Sequence, residues 1–209
     1  MKVGIILRGI SVGTSQMGNG TDWRIIKDNI KENLIDSFGQ KHDVSVYLTT
    51  YPNETLEELS NFYKPKRLNV VPFEGSNQRI NIIQSCLDIE HEDLDFIAIT
   101  RFDIRFFQKM ADLNIDYDKF NILYKEIEPN WSNSRFVSDI IFFFPRKYLS
   151  HFIEAVAMEQ KNPTRAYVDM HNAYLLMCNL IGEDNIHFIH NEPHPKRHRE
   201  NDYVEIVRS

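Results

Sequence analysis

Leu94-Asp95-Phe96-Ile97-Ala98-Ile99-Thr100-Arg101-Phe102-Asp103-Ile104-Arg105-Phe106 is the stretch on which the reading of this chain turns. A short apolar run stops abruptly at Arg-Phe-Asp and then turns apolar again. Phe96 to Ile99 is aromatic and β-branched, too short for a helix, and fits a strand buried on both faces. Ligands of open α/β sheets sit just outside the carboxyl ends of the strands, and Thr100, Arg101 and Asp103 fall there. A carboxylate at that place can hold a hard cation, and a guanidinium beside it can hold a phosphate. The bland alternative is a surface ion pair between Arg101 and Asp103, worth little.

Upstream of this stretch, strand-like and helix-like runs alternate. Lys2 to Leu7 reads as a first buried strand, ending at Arg8-Gly9. A glycine-bearing loop from Ile10 to Gly20 follows. Thr21 is placed to cap a helix reaching Phe38, with Ile26, Ile30, Leu34 and Phe38 along one face. Val44 to Thr49 forms a second strand, leading into Tyr51. Asn53 caps a helix with Leu56, Leu59 and Tyr63 inward, and Leu68 to Val71 is a third strand. Ser76 or Asn77 then opens a helix expected to bury Ile80, Ile83 and Leu87. Four such alternations predict a parallel sheet covered by helices. Its strand order should reverse near the Asp103 strand.

Downstream the alternation breaks. Asn121 to Tyr124 and Asp139 to Phe144 read as strands, separated by a polar loop carrying Trp131, Asn133 and Arg135. Pro145 starts a helix with Tyr148, Phe152 and Val156 in register. Another runs from about Val168 to Leu180 and stops at Gly182. Ile186 to Ile189 is a last short strand before a tail rich in His and Arg. The fold class expected is α/β, a single domain over 1–209 with a mixed, mainly parallel central sheet flanked by helices.

Composition narrows the function. The 209 residues carry a net charge of −6, and 42% are hydrophobic. That acidic balance argues against a nucleic-acid partner, which calls for a basic face. No apolar run reaches membrane-spanning length, so no membrane span is expected. Only two cysteines occur, Cys86 and Cys178; both lie in apolar helical patterns and read as buried thiols of a reducing compartment. No signal peptide is visible, and a cytoplasmic location is the expectation.

Two phosphate motifs fail in the glycine loop. Gly13 and Gly18 have the offset of a P-loop, but Asn19-Gly20 stands where Lys-Ser/Thr is required. The spacing of Gly9, Gly13, Gly18 and Gly20 does not give the dinucleotide fingerprint either. What remains is a set of strand-end and helix-start residues. Arg8 and Arg79 are placed to converge on one crevice, the latter in the first turn of a helix, where an anion is favoured. Tyr51 offers a ring for a base, although a strand-end aromatic is often simply core. Asp139 precedes an apolar strand; Asp169 lies in a first helical turn, where a dipole interaction explains it equally well. Asp103 is the best protein ligand for Mn²⁺ or Mg²⁺, and a tail histidine could add a nitrogen ligand.

Arg8-Gly9 after the first strand, Asn77-Gln78-Arg79 opening a helix, and Ile97 to Asp103 together resemble GT-A-type glycosyltransferases. Within that family the resemblance is to the small N-terminal domains of chlorella-virus capsid-glycosylating enzymes. It implies a GT-A-like fold and metal-dependent transfer of a sugar from a UDP- or GDP-sugar to a glycan or glycoprotein. By that resemblance Arg8, Gly9, Tyr51, Arg79, Thr100 and Arg101 bind the donor. Asp103 and one of His187, His190 or His194 bind the metal, with His190 taken forward. Asp139 or Asp169 serves the acceptor side. The family's strand ends in Asp-x-Asp, whereas here the first position is Arg101.

Two other readings compete. A sugar nucleotidyltransferase would carry a basic glycine-rich loop after the first strand, and no basic residue lies between Ile10 and Gly20. A non-catalytic carbohydrate- or nucleotide-binding module would use Trp131 and Tyr167 as stacking surfaces.

Overall fold

A computed structural model gives the structure of the chain and describes residues 1–14, 20–75, 77–127, 130–158, 170–193 and 203–208, the side chains of Ser134 and His171 excepted. The first strand, β1 (Lys2–Arg8), explains the rest of the sheet. Val3, Ile5 and Leu7 point to one apolar cluster and Ile6 to another, all fully buried. A strand apolar on both faces needs helices on both faces.

Among the described residues the central sheet has seven strands. Besides β1 they are β4 (Asp43–Thr50), β5 (Arg67–Val70), β6 (Phe96–Arg101), β8 (Phe120–Lys125), β9 (Ile141–Pro145) and β10 (Ile186–Pro193). Their order is β10-β8-β9-β6-β1-β4-β5. Only β9 runs against its neighbours β6 and β8; the other pairings are parallel. Two small antiparallel pairs accompany it: β2 (Val12–Thr14) with β3 (Gly20–Asp22), and β7 (Ile104–Phe106) with β11 (Val204–Ile206).

From β1 the chain moves through β4 to β5 on one side, then returns to place β6 on the other. The first crossovers use α1 (Lys27–Ile30), α2 (Ser37–Gly39) and α3 (Leu56–Tyr63), which pack on the Leu7 face. The crossover into β6 uses α4 (Gln78–Asp88), which packs on the Ile6 face with α6 (Leu149–Met158) and α7 (Ala173–Ile181). Strand order therefore reverses between β1 and β6, as expected, and in open α/β sheets the carboxyl ends at such a reversal are where ligands bind.

Local departures from the expectations have physical causes. Thr21 lies in β3, and it is Asp22 that accepts from the Arg24 amide to start the helical stretch. Ile26, Ile30, Leu34 and Phe38 are all buried as expected. Their four-residue spacing would drift about 40° per step round a regular helix. A wider π-helical segment over Lys31–Asp36 keeps them on one side.

The inward face of α4 is not the expected one. Leu87 is exposed and Ile80 and Ile83 are only half-buried, while Arg79, Asn81, Ile82, Ser85 and Cys86 are buried. Between β8 and β9 the expected loop contains a short helix, α5 (Asn130–Ser134). Trp131 there is buried against Tyr174 and Phe188, with Lys125 and Arg135 over its ring, so it offers no open stacking surface. Tyr167 lies outside the described residues. Of the thiols, Cys86 is fully buried and Cys178 partly so. No helix among the described residues is long and apolar enough to cross a membrane.

Candidate functional site

Arg8 and Arg101 are direct partners in the β1–β6 register. Because side chains alternate along a strand, Arg8 shares the face of Ile6 and Arg101 that of Ile97 and Ile99, which is the α4 face. Two arginines are thus set side by side on one face where strand order reverses. Gly9 turns the chain there with φ of 99°, a conformation that favours glycine. Its amide donates to the Thr49 carbonyl at 3.0 Å, and Thr50 Oγ1 donates to the Gly9 carbonyl at 2.9 Å.

Arg8 is 3% exposed, and its Nε has no hydrogen-bond partner among the described residues. Burial, followed by the repulsion of Arg101, pushes its pKa down to about 10, against the attraction of Asp139 and Asp103. Arg101 is held differently. Burial opposes its charge, but Asp103 and Asp139 outweigh that and keep it above the ordinary guanidinium range.

The Arg101–Asp103 contact is a two-pronged clasp. Arg101 Nε donates to Asp103 Oδ1 at 2.8 Å and Nη2 to Oδ2 at 2.5 Å. The two side chains are only 18% and 5% exposed, so this is no surface pair. Arg208 adds its Nη1 at 3.5 Å from Oδ2, and the Val207 amide donates to the Asp103 carbonyl at 2.8 Å. Nothing local announces Arg208 in the sequence. It arrives through β11, which lies along β7 immediately after Asp103.

The helix side is built by α4. Asn77 caps it, its Oδ1 accepting from the amides of Arg79 and Ile80 at 3.0 Å each. Gln78 Nε2 donates to Asp139 Oδ2 at 3.1 Å, which ties the helix start to the entry of β9. Because β9 is reversed, Asp139 reaches the same edge as Arg8 and Arg101. Arg79 is 1% exposed on the inward face, above Ile82 and Cys86. Further along that helix both side-chain polar atoms of Asn81 are buried without a hydrogen-bond partner among the described residues.

Other expected residues stand apart from this cluster. Thr100 is fully buried, and its hydroxyl donates to the Ile140 carbonyl at 2.9 Å, fastening β6 to the approach of β9. Tyr51 is 9% exposed and meets Phe73 edge-on at 5.0 Å between centroids, so the open ring at this edge is Phe73, 42% exposed. His190 belongs to β10, opposite Tyr124 and three strands from β6, and its ring stacks on Tyr203 at 3.5 Å. His187 Nε2 pairs with the Asn114 carbonyl at 2.8 Å. Asp169 and His194 lie outside the described residues.

This donor set does not fit a divalent cation at Asp103. Both carboxylate oxygens are clasped by Arg101, and a dication there would stand beside like charges on Arg8, Arg101 and Arg208. What the arrangement suits is a multiply charged anion: three guanidinium groups face two carboxylates, and a helix start adds its amides. A hollow lined by Met1, Lys2, Gly39 to Asp43 and Asp95 lies at the amino ends of the strands, the opposite edge. No protein-family model matches the chain, and no curated protein matches it.

Proposed function

We propose that this chain is a GT-A-type glycosyltransferase that takes a UDP- or GDP-sugar as donor and a glycan or glycoprotein hydroxyl as acceptor. The observation that carries the reading is the side-by-side placement of Arg8 and Arg101 at the carboxyl ends of β1 and β6, with Arg8 Nε buried and without a hydrogen-bond partner among the described residues. An unsatisfied buried guanidinium nitrogen is costly. A diphosphate oxygen is the acceptor best matched to it in charge and geometry.

In the reaction the bond between the sugar C1 and the diphosphate oxygen breaks, and the electron pair leaves with the diphosphate. The acceptor oxygen forms the new bond to C1 and gives up its proton to a base. Arg8 and Arg101 stabilise the charge gathering on the leaving group, with Arg79 at the start of α4 completing the cradle. Asp139, held by Gln78, braces both arginines and is the described carboxylate nearest the acceptor role. Phe73, rather than Tyr51, offers a ring to the base.

The test is release of UDP or GDP from a panel of nucleotide sugars, with and without simple glycoside acceptors. Turnover by the wild type, and its loss in Arg8→Ala with folding retained, supports the proposal. Tight binding of a nucleotide sugar without any turnover across the acceptor panel would instead mark a binding module.

A further inference from the structure

We propose, building on the donor reading above, that guanidinium groups take the place of a divalent cation in this site: Arg8, Arg101 and Arg208 neutralise the donor diphosphate, and Asp103 holds Arg101 instead of a metal. Three observations carry this. First, a cation stands where a metal-binding pair of acids would begin, since Arg101 occupies the first position of Arg101-Phe102-Asp103. Second, Asp103 is fully engaged: Arg101 takes both its oxygens at 2.8 and 2.5 Å, and Arg208 approaches Oδ2 at 3.5 Å. Third, Arg8, the register partner of Arg101, has its Nε buried without a partner among the described residues.

The chemistry is consistent with electrostatics in a poorly hydrated site. Mn²⁺ or Mg²⁺ in a sugar transferase neutralises charge on the leaving diphosphate. A guanidinium fork binds two phosphate oxygens at once and stays charged throughout, so it can serve the same end without a metal. Asp103 is then a positioning residue. Its clasp engages Nε and Nη2 and fixes the Arg101 plane, and Arg208 closes the group from the C-terminal segment.

The experiment titrates wild-type protein with UDP, GDP and inorganic pyrophosphate by calorimetry, first in EDTA and then in Mn²⁺. A parallel titration follows Mn²⁺ alone by electron paramagnetic resonance. The expected result is diphosphate binding in EDTA as tight as in Mn²⁺, with free Mn²⁺ left unbound by the protein. Arg101→Asn unclasps Asp103, so its affinity in EDTA should drop by about ten- to a hundredfold, a lost charge-assisted contact, and Mn²⁺ should restore part of it. Arg208→Ala touches a partly exposed side chain, spares the fold, and should weaken binding in EDTA even if the Arg101 variant does not fold. Diphosphate binding by the wild type that requires Mn²⁺ overturns the inference while leaving the donor reading intact. Absence of diphosphate binding in both media overturns the donor reading and this inference together.

Discussion

Arg8 and Arg101 face each other across β1 and β6 as register partners, two like charges brought together by backbone pairing alone. Hydrogen bonding of the strands sets their Cα atoms side by side, and both side chains are largely buried. Burial and the repulsion of Arg101 still leave Arg8 below the ordinary guanidinium range, against the attraction of Asp139 and Asp103.

Arg8→Met therefore should stabilise the free protein while disabling the site. The buried charge and its unsatisfied Nε together cost the fold on the order of 1–3 kcal/mol. Urea denaturation should show a gain in that range, and calorimetry a loss of diphosphate affinity of about ten- to a hundredfold. A destabilised variant with unchanged affinity would show that Arg8 is a structural residue.

Arg79→Lys keeps a charge at the start of α4 but loses the planar fork. Diphosphate affinity should weaken, and weaken further in Arg79→Ala, with a total loss of roughly 1.5–3 kcal/mol. Binding of the bare nucleoside should hardly change. Equal losses for UDP and uridine would mean that Arg79 supports the base pocket or the fold.

His42 gives a pH dependence remote from the site. Its ring packs edge-on against Tyr117, with Nε2 3.3 Å from the phenol oxygen. Burial, reinforced by the nearby Lys41 charge, holds its pKa below the ordinary 6.5. The folded state thus binds fewer protons than the unfolded one just below pH 6.5, and stability rises with pH in that window. Acidification from pH 7 should lower the melting temperature, and His42→Gln should flatten the part of that slope due to this ring. An unchanged slope in the variant would assign the effect to other groups.

The two thiols should react in sequence. Burial pushes Cys86 up to about 12, and burial also raises partly exposed Cys178. Since the thiolate is the reactive form, a chromogenic disulfide at pH 8 should titrate Cys178 slowly and Cys86 only after denaturant is added. Rapid labelling of Cys86 in the native protein would show that α4 opens readily.

Much of the framework was legible because parallel strands are continuous apolar runs with sharp polar ends. Arg8, Arg101 and Asp103 could be set at one edge from those boundaries alone. The face of α4 was misread for the opposite reason. Apolar periodicity selected Ile80, Ile83 and Leu87, whereas the helix turns Arg79, Asn81 and Ser85 inward with Ile82 and Cys86. A helix that buries polar residues at the end of a sheet breaks the rule used to orient it. Arg208 left no trace, because pairing between β7 and β11 has no local signature. Trp131 resembled a surface platform only while the aromatic partners Tyr174 and Phe188 were distant in the chain.

The pairing of β7 with β11 also bears on the order in which the molecule assembles. Arg105 Nη1 meets Glu205 Oε2 at 2.7 Å, 100 positions apart in the chain. Closing so wide a loop forfeits chain entropy before any contact rewards it, and such distant pairings slow folding. During refolding, amides of Ile104 to Phe106 should consequently gain protection from exchange after those of Val3 to Leu7, so that Asp103 receives its last neighbours only when the scaffold beneath it is already in place.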